Sequence, residues 1–105
     1  MNSQENEKGS TIYSTIGGVM TDEVGAVTGE LELLSRVGAG VLDVWVRYAG
    51  AEEWYTVTGS PFSLDAAGRC APANLHERVV SHLTTPGPVV DGNEEPVSLE
   101  RLSLA

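Results

Sequence analysis

The amino-acid sequence predicts a two-layer α+β domain, in which an antiparallel β-meander sheet of four or five strands carries one helix packed on one face. Three observations predict this fold. The chain has 105 residues with 12 glycines and 5 prolines, which suits one domain with many turns. Apolar and polar residues alternate over residues 42–58, as in half-buried strands. A helical period appears over residues 74–84.

Residues 42–58 predict the central hairpin. A turn at Gly50-Ala51 places Val46 opposite Tyr55 and Arg47 opposite Trp54. In this register one face carries Leu42, Val44, Val46, Tyr48, Tyr55 and Val57. The other face carries Asp43, Trp45, Arg47, Trp54, Thr56 and Thr58. A slip of one residue would mix the two sets, so the hydrophobic pattern selects this register.

Two further strands are predicted before the hairpin. Residues 11–16 are rich in β-branched side chains and end at Gly17-Gly18. Residues 30–37 begin with alternating glutamate and leucine, the period of a strand that buries one face. Residues 19–28 combine turn-forming acidic residues with glycines that break a helical pattern, and they receive no assignment.

The helix is predicted over residues 74–84. Asn74 is expected to cap its first turn, with Glu77 three positions later in an arrangement that resembles a capping box. The sequence Pro86-Gly87-Pro88 ends the helix. Its apolar stripe consists of Leu75, Val79, Val80 and Leu83.

The domain organisation follows from the polar start of the chain. Residues 1–9 are charged and aperiodic, which predicts a disordered N-terminal tail before a single domain at residues 10–105. Within that domain, residues 64–68 predict a turn. Residues 96–105 fit either a short strand or a helical turn opened by Ser98, and both alternatives stay open.

The charge balance argues against two classes of partner. The chain has 15 acidic and 6 basic residues, a net charge of −9, and its five arginines are scattered. Nucleic acids and anionic membranes both select clustered basic surfaces, so neither is an expected partner. The first residues lack a basic start and an apolar run, and no stretch approaches the roughly 20 apolar residues of a membrane span. We therefore expect a cytoplasmic protein. The preference for arginine over lysine is typical of a GC-rich, bacterial genome.

Cysteine and histidine offer the strongest candidate for catalysis. Cys70 is the only cysteine and precedes the predicted helix, where His76 could activate its thiol. His76 and His82 are six residues apart and point to different faces of a helix, so they cannot share a metal ion there. Unpaired cysteines mostly behave as small apolar residues, and the two histidines are expected at the surface.

The acidic clusters give no stronger candidate. The pairs Asp22-Glu23, Glu52-Glu53 and Glu94-Glu95 fall in predicted turns, where water keeps carboxylates ordinary. The run that begins at Asp91 departs from a calcium loop at its sixth position, where Pro96 stands. No catalytic residue, metal ligand or cofactor is therefore predicted, and the balance leans away from an enzyme.

The face that carries Trp45, Arg47 and Trp54 is the remaining functional feature. The Arg47 guanidinium can stack on the Trp54 ring, and both residue types are enriched among binding hot spots. Because one helix covers only one face of the sheet, the leading hypothesis is a non-catalytic interaction or regulatory protein that binds a protein partner, or itself as a homodimer, through this face. The competing interpretation is that a terminal segment covers both indoles.

Two other functions stay open. One is a small enzyme or ligand-binding domain with a site near Cys70 and His76. The other is an acidic mimic or inhibitor of a basic partner, whose binding would weaken with salt.

Overall fold

A computed structural model describes residues 7–38, 40–64 and 74–102. The predicted two-layer α+β architecture is confirmed, because five strands form one antiparallel sheet and the helix packs against it. The elements along the chain are β1 (Glu7–Tyr13), β2 (Val19–Thr21), β3 (Gly25–Val27), β4 (Glu30–Gly38), β5 (Val41–Tyr48), β6 (Tyr55–Thr56), β7 (Phe62–Ser63), α1 (Leu75–Leu83), β8 (Val89–Val90), β9 (Asn93–Glu94) and a 3₁₀ helix (Leu99–Arg101).

The central sheet has the order β1-β4-β5-β6, and β7 pairs with β5 beyond the end of β6. The predicted hairpin register is confirmed: Val46 lies opposite Tyr55, and Trp45 lies opposite Thr56. The predicted strand at residues 30–37 is β4, which pairs with β5 from Leu31 opposite Tyr48 to the end of the hairpin.

The second arm of the hairpin is shorter than predicted because it changes its partner. After β6, the Val57 N–H still donates to the Val44 carbonyl over 3.0 Å. Val57 also forms a bridge with Thr21 of β2, and the Thr58 N–H donates to the Met20 carbonyl over 3.0 Å. This segment therefore joins the central sheet to the β2–β3 hairpin.

The segment left unassigned at residues 19–28 is the hairpin formed by β2 and β3. Its turn is held by the Thr21 hydroxyl, which donates to the Gly25 carbonyl over 2.6 Å and accepts from the Val24 N–H over 3.2 Å. Val19 and Val27 are buried and join the core. Each strand of this hairpin has only three residues, which is too short for the alternation that identifies a strand in a sequence.

The N-terminal strand begins earlier than predicted. β1 starts at Glu7, so residues 7–9 of the expected tail are part of the sheet, and residues 1–6 lie outside the described residues. Glu7 stands opposite Arg36 of β4, and its carboxylate accepts from the Arg36 guanidinium over 3.2 Å. This pairing with a distant strand extends β1 beyond its β-branched segment.

Helix α1 follows the predicted stripe but not the predicted cap. Leu75, Val79 and Leu83 are buried, and Val80 packs at the edge of the core. Asn74 makes no side-chain hydrogen bond to the first turn, so the capping prediction is wrong. Its backbone, at φ −95° and ψ 23°, lacks the extended conformation in which an N-cap side chain reaches the helix N–H groups.

The C-terminal segment follows the helical alternative, and a single bridge residue rather than a strand precedes the helix. Val97 forms a parallel bridge with Val19, and a 3₁₀ helix follows at once. The Ser98 hydroxyl accepts from the Glu100 N–H over 3.1 Å and caps this helix. The turn predicted at residues 64–68 falls, beyond Leu64, outside the described part of the chain.

The core lies between α1 and one face of the central sheet. Its fully buried members include Leu31, Leu33, Leu42, Val44, Val46, Val57, Leu64, Val79, Leu83 and Leu99. Every inward residue of β5 from Leu42 to Val46 is buried, as the alternation predicts. Among the described residues, no helix is long and apolar enough to span a membrane.

Replacing Gly17 with alanine should destabilise the fold more than the same change at Gly38. A Cβ atom at Gly17 would lie 2.6 Å from the Glu95 carbonyl oxygen and 2.7 Å from that of Glu94, so the backbone around β9 must move. We expect a loss of about 1–3 kcal/mol in the free energy of unfolding for Gly17→Ala. A Cβ atom at Gly38 meets nothing within 4 Å. Gly38→Ala should therefore change the free energy of unfolding by about 0.5 kcal/mol or less.

Urea unfolding followed by circular dichroism measures both variants against the natural chain. Equal midpoints for the two variants would contradict the close approach at Gly17.

Candidate functional site

The face of the central sheet turned away from α1 is called the outer face here. It is formed by residues of three strands and of the segment around β6: Glu7, Gly9, Thr11 and Tyr13 of β1, Glu30, Glu32, Leu34 and Arg36 of β4, Asp43, Trp45 and Arg47 of β5, Trp54 just before β6, and Thr56 of β6. All of these residues are half-buried or exposed, and along β4 and β5 they alternate with buried residues that point into the core. The three predicted site residues therefore share one face.

Arg47 is held between an indole and a carboxylate. Its guanidinium carbon lies 4.4 Å from the centroid of the Trp54 ring, so the predicted stacking is present. The Nε and Nη2 groups both donate to Glu32 Oε1, over 2.9 Å and 2.6 Å. Glu32 stands directly opposite Arg47 in the β4–β5 register.

A second group of the same composition lies beside the first. The Arg36 guanidinium carbon is 5.2 Å from the centroid of the Trp45 ring, and the same guanidinium forms an ion pair with Glu7 over 3.2 Å. Sequence reasoning missed Arg36 and both glutamates. The alternation in β4 places glutamate and arginine on the tryptophan side, but the β4–β5 register was needed to see which residues meet.

These two Glu–Arg–Trp groups contribute little to stability. The Arg47 and Glu32 side chains are 29% and 34% exposed, and those of Arg36 and Glu7 are 48% and 31% exposed. Ion pairs this open to water contribute at most about 1 kcal/mol each. An exposed cation–π contact adds roughly 0.5–1 kcal/mol. Their main effect is to fix the orientation of two guanidinium planes and two indoles.

A shallow groove of about 340 Å³ crosses the outer face beside β1. It is lined chiefly by Gly9, Thr11, Glu32, Leu34 and Trp54. Gly9 has no side chain to fill this part of the face, and the groove extends from the β1 edge to the Trp54 ring. Sequence reasoning assigned Gly9 to the tail and gave no sign of the groove.

His76 is buried, so its predicted place at the surface is wrong. It is 6% exposed, and its Nε2 and Nδ1 atoms each lie 2.7 Å from a serine hydroxyl, of Ser10 and Ser35 respectively. A neutral imidazole has one donor and one acceptor nitrogen, so one hydroxyl donates and the other accepts. Burial lowers the pKa of His76; Glu77 opposes that shift, and Lys8 adds to it. The bridge ties α1 to β1 and β4.

The bridge does not favour catalysis near Cys70 and His76. Cys70 lies outside the described residues. Both ring nitrogens of His76 are occupied by serines of the sheet, which leaves neither free to take a proton from a thiol. Among the residues that the structure describes, no carboxylate is hydrogen-bonded to the imidazole, where hydrolytic triads have the group that orients the base.

Three of the paired carboxylates, Asp22, Glu23 and Glu94, also accept hydrogen bonds from other segments of the chain. Glu23 accepts from the Thr56 N–H over 2.7 Å. Hydrogen bonding to the Thr56 side chain, and then to this N–H, lowers the pKa of the Glu23 carboxyl. Asp22 accepts from the Thr58 hydroxyl over 2.9 Å. Glu94 accepts from the Gly17 N–H over 2.8 Å. Each bond joins segments that are distant in sequence.

His82 lies at a separate cavity of about 400 Å³. Met20, Val97 and the prolines 86, 88 and 96 form its apolar wall, and Glu95, Glu100 and Arg101 are its charged residues. The His82 Nε2 atom donates to the Ser98 carbonyl over 2.8 Å. Within the described ranges, no group of three or more histidine, cysteine, aspartate or glutamate residues is placed to hold a metal ion.

Comparison of the chain with protein-family models, with curated proteins and with solved structures finds no match in any of the three. The function must therefore be inferred from the geometry of the outer face, the His76 bridge and the cavity.

The buried His76 predicts that stability falls as the solution becomes acidic. Its pKa is lowered in the folded chain and is near 6.5 when the chain is unfolded. Below that value the unfolded state binds more protons, so the contribution of neutral His76 is complete above 6.5 and is lost as the pH falls further. Urea midpoints measured at about pH 7.5 and about pH 5.5 test this direction.

The control is His76→Asn, which keeps hydrogen-bonding groups but does not titrate in this range. The variant should lose part of the pH dependence of the urea midpoint. Identical pH dependence in the two proteins would show that His76 is not the titrating group.

Proposed function

We propose that this is a non-catalytic interaction protein that binds a protein partner through the outer face, with Trp45, Arg47 and Trp54 at the centre of the contact. The observation that carries the proposal is the pair of Glu–Arg–Trp groups on a sheet face that lies opposite α1. The described N-terminal residues join the sheet as its edge strand, and the 3₁₀ helix near the C-terminus packs into the core through Leu99.

The geometry of Arg47 supports binding because the side chain is already ordered. Association normally costs roughly 0.5–1.5 kcal/mol for each flexible side chain that is immobilised. Two hydrogen bonds and one ring contact hold Arg47 before any partner arrives. Tryptophan and arginine are also the residue types that dominate binding energies at protein interfaces. A fixed, half-exposed arrangement of both is therefore suited to recognition.

The charge of the outer face indicates the chemistry of the partner. Its acidic residues Glu7, Glu30, Glu32 and Asp43 outnumber Arg36 and Arg47. Both arginines are already paired with glutamates, so the remaining field is negative. We infer a partner whose contact surface is apolar or aromatic at its centre and basic at its rim. Electrostatic attraction of this kind weakens as salt is added.

The same charge argues against self-association through this face. Two copies stacked face to face would bring both acidic rims together, in a chain that already carries a net charge of −9. A different, basic partner avoids that repulsion. If charge contributes most of the binding energy, the protein would act as an acidic inhibitor of a basic protein.

The cytosol is the compartment we propose, because the single cysteine leaves no intrachain disulfide.

Selection of displayed random peptides on the natural chain tests the proposal. We expect the enriched sequences to combine aromatic or aliphatic residues with lysine or arginine. Trp54→Ala should weaken the binding of a selected synthetic peptide at least ~30-fold, because truncation of a hot-spot residue costs about 2 kcal/mol or more of binding free energy. Calorimetric titration at low and high salt measures both the loss and the charge dependence.

Val90→Ala is the matched control, since Val90 is an exposed apolar residue of β8 and lies off the outer face. It should leave peptide affinity unchanged. Peptides that bind Trp54→Ala and Trp45→Ala as tightly as the natural chain would overturn the proposal, and so would a selection that enriches acidic sequences.

A further inference from the structure

The long edge of β1 has backbone groups that point away from the sheet. β1 is the terminal strand of the central sheet, and no strand in the described part of the chain pairs with its other side. The Ser14 N–H donates to the Gly29 carbonyl over 3.0 Å, which directs the even-numbered residues toward β4. Antiparallel strands alternate these directions, so the N–H and C=O groups of residues 7, 9, 11 and 13 point outward.

We propose that β1 pairs with β1 of a second copy of the chain, antiparallel and centred on Thr11, to form a homodimer with one continuous sheet. In this register Thr11 lies opposite itself, and Tyr13 of each copy lies opposite Gly9 of the other. The pairing adds hydrogen bonds from the outward groups of Gly9, Thr11 and Tyr13. It goes beyond the proposed function, because its hydrogen bonds form at the edge of the sheet and its partner is a second copy of the chain.

Gly9 and Tyr13 select this register. Tyr13 projects from the outer face and is 69% exposed, although it is a large aromatic residue. Gly9 leaves the groove open on the same face. A large aromatic residue across from an edge glycine covers the exposed backbone and stabilises the pair. Because Gly9 and Tyr13 each lie two residues from Thr11, the twofold axis makes this contact twice.

Other registers lose the contact. Centring the pair on Ser10 places Gly9 opposite Thr11 and Tyr13 opposite Glu7, so the groove receives no ring. Centring it on Gly9 places two glycines opposite each other, which leaves both uncovered. In the proposed register no like charges face each other, since Lys8 lies opposite Ser14.

The salt dependence separates the dimer from the partner complex. Each copy carries a net charge of −9, so general repulsion opposes dimerisation and added salt should strengthen it. Binding of a basic partner to the outer face should change in the opposite direction. Failure of one proposal therefore leaves the other intact.

Light scattering of the full chain at rising concentration tests the association. We expect a dimer for the natural chain and a monomer for Thr11→Pro, because proline removes the outward N–H at the centre while leaving the hydrogen bonds to β4 untouched. Thr11→Val keeps the N–H and should remain a dimer. A natural chain that stays monomeric at high concentration and high salt overturns the proposal, as does a Thr11→Pro variant that folds and remains a dimer.

Disulfide trapping tests the register without depending on the proline variant. Thr11→Cys combined with Cys70→Ser leaves one cysteine on the twofold axis, where facing Cα atoms lie about 5.5 Å apart, within the range for a disulfide. Ile16→Cys with Cys70→Ser is the control, since Ile16 is 89% exposed and lies beyond the end of β1.

Pairing raises the effective thiol concentration at residue 11, so we expect Thr11→Cys to form covalent dimers faster by a factor on the order of 10 or more. Equal oxidation rates for the two cysteine variants would overturn the register.

Discussion

The pairing of β4 with β5 is the constraint on which the rest of the structure depends. The two strands are joined over eight residue pairs, from Leu31 opposite Tyr48 to Gly38 opposite Val41. Because side chains alternate between faces, this pairing fixes which residues of both strands point to α1. A slip of one residue would place Trp45 against the helix and expose Val44, which is fully buried. The core and the outer face are therefore set by one choice of register.

The two faces use polar residues in different ways. On the inner side Ser35 is buried, and its hydroxyl is satisfied by His76, whose other nitrogen meets Ser10. A buried hydroxyl without such a partner would cost roughly 1–3 kcal/mol, so the histidine is needed where the alternation brings a serine inward. On the outer side the charges of Glu32 and Arg47 are paired but open to water. The His76 bridge ties α1 to β1 and β4, whereas the Glu32–Arg47 pair lies on the half-exposed outer face.

Sequence reasoning succeeded where contacts are local and failed where they are not. The β5–β6 register could be predicted because both arms lie within residues 42–58 and carry a clear two-residue period. The burial of His76 could not, since its partners Ser10 and Ser35 are 66 and 41 residues away. The start of β1 depends likewise on distant Arg36. The stacking of Arg47 on Trp54 was predictable because the two face each other in the hairpin, and that contact is the centre of the candidate site.

The β1 edge and the outer face are physically compatible as binding surfaces. A twofold axis between antiparallel strands is perpendicular to the sheet, so both outer faces of the proposed dimer would lie on the same side. The ring of Tyr13 from the second copy would occupy the groove between Gly9 and Trp54 and extend the aromatic surface of each face. A partner with two basic segments could then bind both faces at once, and the second contact would form at a high effective concentration. Two individually weak faces would in this way give a tight complex without any change in the contacts that each one makes.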